Sequence, residues 1–184
     1  MFPKIILRLI DASILPSLLV FSAKFLSLFI LVIFWKLPYD FSGVRLVFQN
    51  PADFYRANSL SNTFLFIVVS VGLYFSLFRL HFLTASRLSP AFSAKIVEAE
   101  LEGLVTSTVA GYIKAAVWLA LSSLVALSLF TQGLLGFSSF YPFAFQAASV
   151  ALGLFILILS LERHVQDGPS SKRSQLIIEE VSHA

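Results

Sequence analysis

The chain has 184 residues, 58% of them hydrophobic and 12% charged, with a formal net charge of +3 and a mean hydropathy of +0.87. Soluble domains carry about 25% charged residues, so half that share, with twenty Phe, implies a polytopic membrane protein and gives no nucleic-acid footprint. Cysteine is absent, which excludes disulfides, Cys-ligated zinc, iron–sulfur clusters and thiol catalysis.

Residues 1–13 place Lys4, Arg8 and Asp11 on roughly one helical face and Ile5, Ile6, Leu9 and Ile10 opposite, an interfacial amphipathic start. It leads into a first apolar run, helix 1, over about 14–35. A signal peptide has a shorter apolar region, 7–15 residues, followed by a small-residue cleavage site. This run is longer and ends in FWKLPYD, so the segment is expected to be retained. Pro16 falls near the expected helix start, where a missing N–H is tolerated. Trp35 and Tyr39 suit a membrane interface.

Residues 36–59 read as the first long connection, with Pro38, Gly43 and the Asn50-Pro51 pair as turn signals. GVRLVFQ suits a short extended piece. The aromatics Tyr39, Phe41, Phe48, Phe54 and Tyr55 argue that the connection lies against the membrane surface or a partner.

Leu60–Phe78 is the clearest span, 19 residues without a charge between Arg56 and Arg79. A helix of that length rises about 28 Å, close to the ~30 Å of a hydrocarbon core. Its polar residues, Ser61, Asn62, Thr63, Ser70 and Ser76, read as scattered. Helix 2 is expected over 60–83. The following TASRLSPAFSAKIVEAELEG contains a Ser89-Pro90 N-cap pair. An apolar stripe of Phe92, Ile96, Val97, Leu101 and Leu104 faces away from Lys95, Glu98 and Glu102, which predicts a cytoplasmic amphipathic helix.

Helix 3 is expected over 104–131, interrupted by Lys114. From Ala115 to Leu161 there is no charge for 47 residues, broken only by the Gly- and Pro-bearing turn at 132–142. Helix 4 follows over 142–161. DGPSSKRS then opens a flexible cytoplasmic tail over 166–184, behind a four-helix transmembrane domain over 1–165.

Four crossings put both termini and the 79–103 segment on one side, with Lys4, Arg8, Arg79, Arg87, Lys95, Arg163, Lys172 and Arg173. The other side holds Lys36, Arg45 and Arg56. Eight basic residues against three place both termini in the cytoplasm.

Two lysines stand out as binding candidates. Lys24 lies near the middle of helix 1, where an ammonium costs about 2.5–3.5 kcal/mol on insertion scales. No Asp or Glu occurs in an expected span to pair with it. The readings are snorkelling, an anion or lipid-headgroup site, or contact with an acidic residue of another subunit. Lys114 reads as interfacial; if both lysines faced one cavity, they would attract an anion.

Small residues spaced by four mark helix-packing faces: Ser107, Gly111 and Ala115, with Ala116 and Ala120, on helix 3, and Ala144 and Ala148, with Ser149 and Gly153, on helix 4. These predict an intramolecular hairpin of helices 3 and 4, while the bulkier helices 1 and 2 face lipid or a partner. SVGLYFSLFRLH (70–81) and SVALGLFILILSLERH (149–164) hint at a duplicated hairpin. His81 and His164 fit the dipoles of helix C-termini, and no metal motif accompanies them.

No paired carboxylates lie in a span, and G-x-S-x-G, H-E-x-x-H and P-loop patterns are missing. The reading is an all-α polytopic membrane protein of four transmembrane helices, non-enzymatic and without a cofactor. It is expected to be a subunit or accessory protein of a larger complex in the cell membrane, partnered by lipid and by other membrane subunits or further copies of itself. The alternative is a small transporter or channel with an anion-attracting site near Lys24 and Lys114.

Overall fold

A bilayer offers no water to a backbone N–H or C=O, so a membrane-spanning chain must satisfy them within itself. The computed structural model describes residues 2–42, 45–84, 98, 105 and 107–166. Four long helices dominate them: α1 (Phe2–Phe34), α2 (Pro51–Phe82), α3 (Thr108–Leu134) and α4 (Tyr141–Gln166). Each is long and apolar enough to cross a membrane, with window hydropathies of 1.9 to 2.4. The chain is an all-α, four-helix membrane protein. Between α1 and α2, strands β1 (Tyr39–Ser42) and β2 (Arg45–Phe48) pair antiparallel, Tyr39 opposite Phe48 and Ser42 opposite Arg45. The amphipathic helix expected after helix 2 falls, apart from Glu98, outside the described residues, as does the tail from 167 onward.

Successive helices run antiparallel. One end of the bundle, the hairpin end, carries the β-hairpin and the α3–α4 turn, and the other, the terminal end, carries the start of α1 and the finish of α4. The described helix ends depart from the expected spans in informative ways. Residues 51–59 were expected in a connection, but α2 begins at Pro51: the Asn50 side chain accepts a hydrogen bond from the Ala52 N–H at 3.1 Å, and Pro51 fills the first helical position. That pair is a helix start rather than a turn, because Pro supplies the helical φ and lacks only an N–H that would be orphaned anyway. At the other end α1 runs unbroken from Phe2, so Pro16 lies inside it. Pro16 cannot donate to the Ala12 carbonyl, a defect that transmembrane helices tolerate.

α2 is the centre of the bundle and packs on all three other helices. Leu65, Val69, Leu73, Leu77 and Leu80 are buried along it at three- and four-residue spacing, the periodicity of one helix face. Towards the hairpin end, Leu65 and Val69 meet Val125 and Leu129 of α3, with Val20, Ala23 and Phe143 around them. Towards the terminal end, Leu73, Leu77 and Leu80 close on Ala115, bordered by Trp118, Leu119, Ile156 and Leu157. Helix 2, expected to face lipid or a partner, has open outer faces, with Phe64, Val71 and Phe78 exposed, but its inward stripe also packs on the other three helices. α1 is the helix most open to its surroundings, with Leu15, Phe21, Phe25 and Ile30 all exposed.

Two helices end in the same way. At the end of α3 the Gly136 N–H bonds to the Gly133 carbonyl and the Phe137 N–H to the Gln132 carbonyl, with Gly136 at φ +72°. At the end of α1 the Lys36 N–H bonds to Ile33 and the Leu37 N–H to Val32, with Lys36 at φ +51°. Both are Schellman turns, but only the first has the glycine that this backbone favours. Replacing Lys36→Gly is expected to raise stability by about 1 kcal/mol and Gly136→Ala to lower it by about the same. Thermal unfolding of both variants in one detergent reads the two shifts; shifts of the same sign would contradict the assignment.

Candidate functional site

The strongest polar constellation in the bundle forms around Lys24, in the half nearer the hairpin end. Its ammonium donates to Asn58 Oδ1 at 2.7 Å and to Asn62 Oδ1 at 2.5 Å. Asn58 and Asn62 stand four residues apart on α2, one turn, so both amides face the same point. Each amide passes the polarity onward. Asn62 Nδ2 donates to Gln132 Oε1 at 3.0 Å, and Asn58 Nδ2 donates to Gln132 Oε1 at 3.1 Å and to the Phe137 carbonyl at 2.8 Å. Gln132 Nε2 in turn donates to Ser128 Oγ at 3.2 Å.

These partners fix the amide orientations. An ammonium only donates and a backbone carbonyl only accepts, so Asn58 satisfies both in a single orientation, oxygen towards Lys24 and nitrogen towards Phe137. The Schellman turn of α3 supplies the last two acceptors, since Gln132 and Phe137 are the residues joined by its outer hydrogen bond. Beneath the lysine, the Ser27 and Ser61 hydroxyls meet at 2.9 Å, and each also lies within reach of the Lys24 carbonyl. Over the cluster, the Ser139 N–H donates to Ser59 Oγ at 3.0 Å. Phe48, Phe54 and Phe137 form a ring chain with centroids 5.7 and 6.1 Å apart, joining the hairpin to α2 and the α3–α4 turn.

A second polar junction lies at the terminal end. Arg163 donates to His81 Nε2 at 3.1 Å, and His81 Nδ1 faces Ser160 Oγ at 3.2 Å. Because a guanidinium has no acceptor, Nε2 must be the unprotonated nitrogen, which leaves the proton on Nδ1 to donate to Ser160. The Tyr112 hydroxyl donates to the Ser160 carbonyl at 2.8 Å, so α2, α3 and α4 are tied together here. Between the two ends, Ser70 donates to Ser149 at 3.3 Å, and the fully buried Gln146 donates to the Ser122 carbonyl at 3.4 Å. Among the described residues, no three His, Asp or Glu side chains are placed to hold a metal ion.

Lys24 and Lys114 stand apart. Lys24 reaches the level of Gln132 through the asparagines, and Lys114 lies 18 residues earlier on α3, about 27 Å along the axis. Lys114 is exposed and borders a different cavity, with Asp11, Arg79 and Trp118. Of the small residues singled out for packing, Gly111, Ala115, Ser149 and Gly153 are buried. Ala116, Ala120, Ala144 and Ala148 are exposed, and Ser107 precedes α3 as its N-cap, accepting from the Ala110 N–H at 3.3 Å. Asn58 and Asn62, the partners of Lys24, and Gln132 behind them have no such role in the sequence reading, where only a carboxylate counts as a counterpart for the ammonium. Their signal was present, two amides one turn apart at the head of an apolar run. The chain matches no family model, no curated protein and no solved structure.

Removal of Lys24 leaves two amide oxygens without their donor. Lys24→Met and Asn62→Leu are each expected to destabilise the bundle. The double variant should lose less than the two combined, with a coupling of about 1 kcal/mol, within the range of measured hydrogen bonds between membrane helices. Detergent unfolding of the four proteins gives that cycle; strict additivity would show that the contact contributes nothing.

Proposed function

We propose that the chain is a non-enzymatic integral subunit or accessory protein of a larger assembly in the cell membrane, with both termini in the cytoplasm. The observation that supports this reading is that the Lys24 cluster is bonded within the chain. An intramembrane cation is by default a candidate for substrate binding or ion passage. Here the ammonium is engaged by two amide oxygens of its own chain, and those amides are engaged in turn by α3. Such a network fastens helices to one another, as a scaffold requires. The hairpin end also carries exposed aromatics, among them Trp35, Tyr55, Phe137 and Tyr141, which suit an interface with headgroups or with a partner.

The charge distribution supports the orientation. Of the described basic residues other than Lys24, Lys4, Arg8, Arg79, Lys114 and Arg163 belong to the terminal end and Lys36, Arg45 and Arg56 to the hairpin end. Arg87, Lys95, Lys172 and Arg173 extend the bias in the sequence, and basic residues favour the cytoplasmic side.

Two measurements test the proposal. The chain contains no cysteine, so single cysteines report topology without background. An impermeant maleimide should label Gln49→Cys in intact cells and Glu162→Cys only after permeabilisation, and the reverse pattern would invert the orientation. Native mass spectrometry of the chain extracted in mild detergent should show it bound to other membrane proteins at fixed stoichiometry. Recovery solely as a monomer or homo-oligomer would overturn the subunit reading.

A further inference from the structure

Along the terminal half of the bundle, α1 stands off from α2 and α3 and leaves a groove. Its main part is a cavity of about 630 Å³. A contiguous cavity of about 440 Å³ shares Asp11, Ala12 and Lys114 with it and continues to Arg8 and Ser107. Small residues hollow the groove out, chiefly Ala12, Gly72 and Gly111. Gly72 matters most, because a Cβ there would fall 2.3 Å from the Trp118 ring. The sides are apolar and open outward: Leu15, Val71 and Phe75 are 64%, 63% and 49% exposed.

Charge is confined to one end of the groove. Among the described residues, Arg8, Arg79 and Lys114 lie there with one carboxylate, Asp11. The Arg79 guanidinium lies over the Phe75 ring at 5.9 Å, which sets it at the boundary between charged mouth and apolar wall. From Arg8 to Leu19 the groove follows α1 for 11 residues, and from Arg79 to Ile67 it follows α2 for 12. Both correspond to roughly 17 Å of rise, about half of a ~30 Å hydrocarbon core and hence one leaflet.

We infer that this groove binds an anionic phospholipid, its phosphate at Arg8 and Lys114 and one acyl chain laid between α1 and α2 towards Leu19 and Ile67. Three features select this occupant together. Among the described residues the mouth presents the exposed Arg8 and Lys114 beside one carboxylate, a basic surround that favours an anion. The walls are apolar and face the hydrocarbon, which calls for an acyl chain. The depth is that of one leaflet, so headgroup and chain fit with the phosphate at the interface. A soluble anion uses only the first feature. A partner helix uses the second but has no need of the cations. The inference stands independently of the subunit reading, because the groove belongs to a single chain.

Native mass spectrometry of the purified full chain, titrated with phosphatidylglycerol or phosphatidylcholine, tests it without a partner. Phosphatidylglycerol is expected to bind at least tenfold more tightly. Lys114→Gln, on an exposed side chain, should weaken that preference about fivefold, the effect of about 1 kcal/mol per basic residue near a charged surface. The Arg8→Gln/Lys114→Gln pair should weaken it further. Arg163→Gln, at the same end but outside the groove, should leave it unchanged. Val71→Trp, which fills the open wall, should reduce binding of both lipids while thermal unfolding shows the bundle intact. Equal binding of the two lipids, equal loss in Arg163→Gln, or displacement of phosphatidylglycerol by equimolar inorganic phosphate would each overturn the assignment.

Discussion

The Lys24 ammonium is the constraint around which the hairpin half of the bundle is arranged. Placing it in a hydrocarbon environment costs about 2.5–3.5 kcal/mol on insertion scales, and hydrogen bonds between membrane helices return on average ~0.6 kcal/mol each. Its two contacts with Asn58 and Asn62 therefore fall short. Counting also the three bonds that those asparagines make to Gln132 and Phe137, the five bonds come to about 3 kcal/mol, comparable with the cost. The lysine is accommodated as one member of a network that reaches three helices and a turn. This explains why the asparagines, the end of α3 and the aromatic cover all lie at one level.

Neutral amides suit this role in a way carboxylates would not. A buried ion pair demands that two charges leave water, and the desolvation of both opposes their attraction. An amide oxygen offers a dipole without a second charge, and its nitrogen can then satisfy an acceptor on the next helix. Asn58 and Asn62 act as relays, turning a charge on α1 into neutral hydrogen bonds on α3. At the terminal end, His81 does something similar between Arg163 and Ser160, with an imidazole in place of the amide.

How much of this was legible depended on which kind of force set each feature. The number of spans followed from hydropathy alone, since a membrane helix announces itself by length and absence of charge. Helix starts and register depended on local chemistry that admits two meanings: a polar residue before proline, as in Asn50-Pro51 and Ser89-Pro90, suits a turn and a helix start alike. Inward faces were harder still. In a soluble helix the polar stripe faces out, but along α2 Asn58, Ser61, Asn62, Ser70 and Ser76 are all buried, while Thr63, bonded back to the Ser59 carbonyl, faces outward. Read as scattered, these residues hid the feature that makes α2 central. Lys24 was recognisable as costly, and the spacing of Asn58 and Asn62 marks a polar face on α2, but a single sequence does not say that this face meets a lysine 34 and 38 positions earlier.

The two ends of α1 are held by different means. Towards the hairpin end, Lys24 and Ser27 fix it to α2 through directional bonds, and a small displacement would break several at once. Towards the terminal end its buried contacts are few, Pro16 removes a backbone bond at Ala12, and a groove separates it from Trp118 and Val71. A helix that lacks apolar contrast with its solvent gains little from contact area alone, so the unbonded half has little to draw it closed. Polar fastening at one end is what allows an opening at the other to persist without loss of the bundle, and the basic residues at that open end give it its chemical character.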